Sequence, residues 1–298
     1  MSKTEVPGSL EHALDRVDRI SPAEAFKLIG NETRLDILKA LAEADERPVS
    51  FSTLRSMVGM RDSAQFNYHL QRLVGHFIEH TDEGYDFKHA GEKVIRAIVA
   101  GSFTDDPRIE PFEVSGGCAS CGGTLTGVYE DEHITIVCDD CAHRHGRYSF
   151  PPGGLNDRTL EEIAVAFDNR VRHLHCLAAD GVCPECGGRM HTSIIEDTSC
   201  CLGVSLHVDH ECGQCGHDIC SAPGLRLLDQ STVVAFYKQH GIKLDERPYW
   251  TLPWCVSDEY HRIVSRDPFR VEVRMPIGGD ELTVLLDEQL HVIETDEA

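Results

Sequence analysis

Thirteen cysteines are the residues in this 298-residue chain best suited to chemistry. Eight of them form four Cys-x-x-Cys pairs: Cys118 with Cys121, Cys138 with Cys141, Cys183 with Cys186, and Cys212 with Cys215. Two intervening residues let both sulfurs of a pair reach one ion at about 2.3 Å. Sixteen residues separate the first two pairs and 25 the last two. Each couple of pairs therefore makes a closed, tetrahedral, four-thiolate site, and two zinc ions per chain are expected. A zinc held by four cysteines has no open position for water, so the expected role is structural.

The pairs sit in a repeat. CASCGG at residues 118–123 returns as CPECGG at 183–188. Strand-like runs, LTGVYEDEHITIV and HTSIIEDTSCCLGVSLHV, fill the space between the pairs of each copy. Beyond the last cysteine of each copy come a histidine (His143, His217), a Pro-Gly, a Gly-Leu and a Val-Ala-Phe at 165–167 or 234–236. The sequence thus predicts two sibling modules, each a zinc ribbon plus a helix, over residues 118–180 and 181–241. The second carries about nine extra residues between its pairs.

Five cysteines remain: Cys176, Cys200, Cys201, Cys220 and Cys255. Free cysteine packs well as a small apolar residue, and buried filler is the expectation; a redox or metal sensor at Cys200-Cys201 is the rival. His207 and His210 precede a complete cysteine set and are not needed as ligands. Residues 242–298 read as a small antiparallel β unit of three strands, with turns at Gly-Gly-Asp and Asp-Glu-Gln. The preceding ERPYWTLPWCV holds both tryptophans and predicts a packing hub.

The chain holds 50 acidic and 28 basic side chains, a formal charge of −22, with arginine far outnumbering lysine. So acidic a surface suits a high-salt cytoplasm. The charge is uneven. Residues 1–100 hold 16 acidic and 13 basic side chains, and the remaining 198 hold 34 and 15. A surface that approaches phosphate needs that sparing. The N-terminal residues lack the apolar core of a signal peptide, and no apolar run is long enough to span a membrane. The expected location is cytoplasmic.

After a segment at 1–20, residues 21–101 read as one helical domain. Ser21 and Glu24 form a capping box with Pro22 at the first helical position. Asn31 caps ETRLDILKALAEA, whose Leu35, Leu38, Leu41 and Ala42 are expected on one face. FSTLRSMVG is a short helix closed by Gly59. Asp62 caps SAQFNYHLQRLV, closed by Gly75. Its Phe66, Leu70 and Leu73 must face the core. HFIEH and YDFKH make a hairpin through TDEG, and GEKVIRAIVAG is a last helix. This order is that of a winged helix-turn-helix, whose helix before the hairpin enters the major groove. Ser63, Gln65, Asn67, Tyr68 and Arg72 lie on its outer side, with Arg61 before it and Lys88 on the hairpin. Asn and Gln suit an adenine edge, and Arg suits guanine or phosphate. His69 faces inward and is expected to be a hydrogen-bonded core histidine; His76 and His80 do not form a metal site with it.

RLDILKAL, FSTLRSMVGM and SAQFNYHLQRLVGHFIEH together resemble the DNA-binding domain of ArsR-type regulators over about residues 20–100. His69, Leu70 and Leu73 match the family's recognition-helix pattern, and Asn67 stands where a serine is common. More loosely, most of the chain is similar to haloarchaeal winged-helix regulators with C-terminal zinc ribbons. Residues 1–117 contain no cysteine, so the direct thiolate sensing of many ArsR-type proteins does not carry over.

The expected fold class is α+β: an N-terminal winged helix-turn-helix, a linker over 102–117, two zinc-ribbon-plus-helix modules and the C-terminal β unit. The expected function is a DNA-binding transcription regulator, acting on double-stranded DNA as a homodimer, with ribbons that serve a small-molecule or protein effector, a partner or the dimer contacts. The alternative is an adaptor in which the ribbons make the main nucleic-acid or transcription-machinery contact. No HExxH, GxSxG, P-loop or dinucleotide fingerprint is present, so no enzymatic activity is expected.

Overall fold

Ser21 accepts from the amide of Glu24, whose carboxylate takes the Ser21 amide in return. This box starts α1, Pro22–Ile29, which ends at Gly30. The computed structural model describes residues 20–197, 200 and 202–298, so the expected N-terminal segment falls almost wholly outside the described residues, as do Thr198, Ser199 and Cys201. The chain divides into two units, Met1–Val99 and Ala100–Ala298.

In the first unit, α2 spans Glu32–Glu43 under an Asn31 cap, and α3 spans Phe51–Val58, closed by left-handed Gly59. Asp62 accepts from the amides of Ala64 and Gln65 to start α4, Ser63–Leu73. Strands β1 (Ile78–Thr81) and β2 (Gly84–Phe87) form an antiparallel hairpin, followed by α5, His89–Val99. Leu38, Leu41, Leu54, Phe66, Leu70 and Leu73 are fully buried. The apolar stripe of α2 is turned from the expected one. Ile37 and Ala40 join Leu38 and Leu41 inside, Leu35 is half-buried and Ala42 is exposed. Alanine contributes little apolar area, so the larger Ile37 sets the rotation of the helix. His69 is half-buried, and its Nδ1 is buried without a hydrogen-bond partner, so it is not the hydrogen-bonded core histidine expected.

Among the described residues, the second unit has three antiparallel sheets. The first runs β3 (Phe112–Gly117), β4 (Thr124–Glu130), β5 (His133–Cys138) and β6 (Arg144–Ser149) in chain order. Residues 112–117, expected at the end of a linker, are therefore an edge strand, with Phe112 and Val114 alternating into the core. The helix α6, Leu160–Ala179, starts with a Thr159–Glu162 capping box. The second sheet is β7 (Met190–Glu196), β8 (Leu206–Cys212) and β9 (Asp218–Ser221). A short helix α7 (Ser231–Gln239) and one turn of α8 (Pro253–Val256) lead to the third sheet. That sheet has four strands, not three: β10 (His261–Arg266), β11 (Phe269–Ile277), β12 (Asp280–Leu286) and β13 (Val292–Glu297). The missed strand, HRIVSR, alternates between half-buried and exposed residues, so its sequence lacks a strong apolar rhythm.

One hydrophobic core runs through all three sheets of this unit. Trp250 and Trp254 are fully buried in it and act as the expected hub. The indole of Trp250 donates to the Ser115 carbonyl at 3.0 Å, and that of Trp254 to the Tyr237 hydroxyl at 2.6 Å. A buried carboxylate ties this segment to α6. Asp168 pairs with Arg172 at 2.8 Å and accepts the Tyr249 amide at 2.7 Å, while Arg172 donates to the Arg247 carbonyl. Burial raises the Asp168 carboxyl above its ordinary value, although Arg172 and the Tyr249 amide oppose the rise. Losing either partner leaves a buried charge uncompensated, a loss of about 3–5 kcal/mol.

Two histidines, buried His175 and half-buried His261, make stability depend on pH. Burial holds His175 well below its ordinary value, and His210 nearby adds to the effect. Burial also lowers His261 to about 4, against its hydrogen bond to the Trp254 carbonyl. Both are neutral in the fold and gain a proton more easily in the unfolded chain. The His261 contribution is intact above about pH 6.5, is lost as pH falls from there toward about 4, and levels off below, and that of His175 is lost in the same direction on acidification. Thermal melts across this range should show falling stability on acidification. His261→Gln should reduce the slope by about one proton; an unchanged slope would rule out the neutral state.

Candidate metal centres

The chain builds both cysteine clusters with one backbone device. The Cys118 amide donates to the Gly123 carbonyl at 2.9 Å, and the Cys183 amide to Gly188 at 2.8 Å. The Cys138 amide donates to the His143 carbonyl at 3.0 Å, and Cys212 to His217 at 2.8 Å. The residue after the second cysteine of each pair returns an amide to the first cysteine's carbonyl: Gly122, Ala142, Gly187 and Gly216. All four are left-handed, with φ of 76°, 59°, 73° and 73°. Glycine fits this conformation without a Cβ penalty, which explains the glycine after three of the four pairs; Ala142 bears the strain. The second glycine has another reason. A Cβ on Gly188 would lie 3.0 and 3.1 Å from the sulfurs of Cys212 and Cys186, and one on Gly123 would lie 2.1 Å from the Asp140 carboxylate. Tight turning plus close approach is therefore what CxxCGG encodes.

These turns bring all eight predicted ligand cysteines together in two groups. Within each group the four sulfurs lie within 4.8 Å of one another, one pair of positions buried and one exposed. Across the first site Cys118 is 3.7 Å from Cys141 and Cys121 is 3.5 Å from Cys138. Across the second, Cys183 is 3.7 Å from Cys215 and Cys186 is 3.6 Å from Cys212. Four sulfurs at about 2.3 Å from a central tetrahedral ion stand about 3.8 Å apart, so the spacing is consistent with zinc. Each cluster could hold one metal ion, two in all.

The thiols of each cluster are shifted in opposite directions. Cys212 is drawn down to about 6, first by the Cys215 amide, against desolvation. Cys138 falls to about 7: desolvation raises it, but the amides of Cys141 and Asp140 outweigh that. Cys121 and Cys186 are pushed up to about 12. The amides of Gly123 and Gly188 pull them down, yet their neighbouring thiols prevail. A divalent ion removes that mutual repulsion and displaces the remaining protons.

The environments of the two sites differ. His145, fully buried, places Nε2 3.3 Å from the Cys118 sulfur. The equivalent residue of the second copy is Ile219, also buried. Sequence reasoning missed His145; the His-x-His after the second pair was its only signal. The neighbouring His143 instead meets the Val256 carbonyl at 3.0 Å. His207 and His210 are buried and stand outside the cysteine clusters; His210 bonds the Thr192 hydroxyl at 2.9 Å.

The repeat extends beyond the ligands. Each copy passes from its last strand through a 3-10 turn, Pro152–Leu155 or Pro223–Leu227, into α6 or α7. Phe167 and Phe236 are both buried, and Val165 and Val234 are both exposed. The β3 strand of the first copy shrinks to one bridge, Val182 to Arg189, in the second. The extra residues of the second copy lie in sequence between β7 and β8, and the described ones include Cys200 and 202–205. The β7–β8 hairpin docks through the Ser205 amide and hydroxyl on Asp258, and through Arg266 on Glu196.

In the first unit, Ser63, Gln65, Asn67, Tyr68 and Arg72 are all exposed on α4, and Arg61 is exposed just before it. The Arg72 guanidinium lies over the Tyr68 ring, 5.5 Å from its centroid. Lys88 is exposed past β2, with Nζ donating to the Gly75 carbonyl at 2.7 Å. Among the described residues no helix is long and apolar enough to cross a membrane.

Twin four-cysteine clusters on antiparallel ribbons, each able to hold a metal ion and fused into one core with a closing β sheet, define an α+β protein. The chain belongs to the family described as "Domain of unknown function (DUF7351)", which matches residues 115–292. Residues 22–98 match a second family, "Domain of unknown function (DUF7347)". No curated protein matches the chain.

Gly188→Val should place methyl groups among the second site's sulfurs. Metal analysis should then find the content falling from two ions per chain toward one, with the first site kept. Retention of both ions would show that the second glycine is not needed for the site.

Proposed function

We propose that this protein is a DNA-binding transcription regulator whose first unit is a winged helix and whose two ribbons hold structural zinc. The observation that carries the reading is the division of α4. Phe66, Leu70 and Leu73 are fully buried, while Ser63, Gln65, Asn67, Tyr68 and Arg72 form an exposed polar face. A helix ahead of a hairpin, with such a face, suits the major groove, where amides and guanidinium groups read base edges. The resemblance to ArsR-type regulators and the lower acidity of this unit support the same reading.

High salt shapes the expected contacts. The counterion-release contribution shrinks as salt rises, so affinity leans on base-edge and apolar contacts. One good bidentate side chain contributes about 1–3 kcal/mol of base discrimination. The ribbons, in the strongly acidic unit, hold the geometry that an effector, a protein partner or a second copy would meet. The chain acts as a homodimer in this reading, without catalysis, in the cytoplasm.

The test uses DNA selected from random sequence and fluorescence anisotropy at high salt. Asn67→Ala combined with Tyr68→Ala should weaken specific binding at least about tenfold, with metal content unchanged. The selected site should be an inverted repeat with half-sites about one helical turn apart. The reading is falsified if the double variant binds as the parent does, while Cys118→Ser or Cys183→Ser abolishes binding with the first unit still folded. That result would move the contact to the ribbons and make the protein an adaptor.

A further inference from the structure

Outside the metal clusters, the described thiols divide into two kinds. Cys255 is buried, and desolvation raises its thiol well above its ordinary value. Burial also raises Cys176, helped by Asp229. Such thiols remain protonated and react slowly. Cys200 and Cys220 differ. Their sulfurs are 3.1 Å apart, closer than either cross-pair of the metal sites. That is about 1 Å beyond a covalent S–S bond. Both residues are half-buried rather than sealed. Cys220 also lines a cavity of about 560 Å³, beside Tyr148, Leu174 and His217, so small solutes can approach Cys220.

The placement has a consequence. Cys200 lies between β7 and β8, in the inserted part of the second ribbon, and Cys220 lies on β9, the edge strand of its sheet. Between them in sequence stand β8 and two ligands of the second site, Cys212 and Cys215. A bond between these cysteines closes a loop that contains half of that metal centre.

We propose that Cys200 and Cys220 form an oxidation site, which a peroxide converts to a disulfide that braces the second metal centre. One thiolate attacks a peroxide oxygen and breaks the O–O bond, giving a sulfenic acid and, after protonation, water. The other thiolate attacks the sulfenic sulfur, forms the S–S bond and expels the hydroxyl group as a second water. Two thiols are oxidised and one peroxide is reduced. Closing a loop restricts the opened states through which the ligands would separate, so oxidation slows metal release from the second centre.

The metal-loaded full chain, treated with an equivalent of hydrogen peroxide, alkylated and digested without reductant, provides the test. A peptide pair joined through Cys200 and Cys220, lighter by two hydrogens than the separate peptides, is expected. Two of the thirteen thiols should be lost with metal content unchanged. Cys220→Ser should abolish both the linked peptide and the thiol loss. Cys200→Ser, between β7 and β8, serves the same purpose if the strand variant fails to fold. A bridge from Cys220 to any other cysteine, or separate alkylation of Cys200 and Cys220, overturns the assignment. Zinc transfer to a chromophoric chelator tests the brace: one of two release phases should slow severalfold after oxidation, and unchanged phases overturn it. This last arm rests on the zinc reading, whereas the peptide map does not, so the two can fail separately.

Discussion

Four thiols within 4.8 Å of one another cannot all ionise unless a cation joins them. The ribbons depend on this constraint. Their knuckles are short turns with exposed outer cysteines, and the strands they join are mostly of six or seven residues. Without an ion, the turns can gather these sulfurs only while some of them keep their protons. With one, the same turns become the fixed ends of β4, β5, β7 and β8, and the alternating residues of those strands are set toward the core. The coordination energy is then part of the folding energy.

The second constraint is burial around the tryptophans. Asp168 and Arg172 sit on α6 of the first copy, yet they hold the backbone of Arg247 and Tyr249, which follows the second copy. The aromatic rings of Tyr148, Phe167, Tyr249 and Trp250 meet within about 6.4 Å of one another in successive contacts. A metal ion would fix each ribbon locally, whereas this polar clamp with its aromatic cluster ties ribbons, helices and closing sheet together.

The parts of the fold most legible in the sequence are those with local causes. The Ser21 and Asp62 caps, the left-handed Gly59 and the cysteine knuckles depend on neighbours within a few residues, and their signals are explicit. The two metal clusters were readable for the same reason, because a Cys-x-x-Cys pair carries its geometry with it. Long-range features were not. β3 sits in a stretch rich in Pro and Asp, and its pairing with β4 shows only in the structure. β10 has one weakly buried side and gains its place from β11. His145 reads as an ordinary polar residue until the fold brings it to Cys118 across 27 positions. The nearness of Cys200 to Cys220 arises because the chain between β7 and β8 returns to the edge strand.

The continuous core of the second unit decides how the chain can be divided. Repetition usually suggests interchangeable parts, yet the two copies here share one interior with the sheet that follows them. A cut near residue 100 separates two bodies that each keep their own buried residues. A cut between the copies would instead part Phe167 from Trp250, whose rings lie 6.3 Å apart, and expose both. The duplicated ribbon has become an indivisible piece, and a recombinant fragment of one copy would inherit its metal ligands without the interior that gives them a stable place.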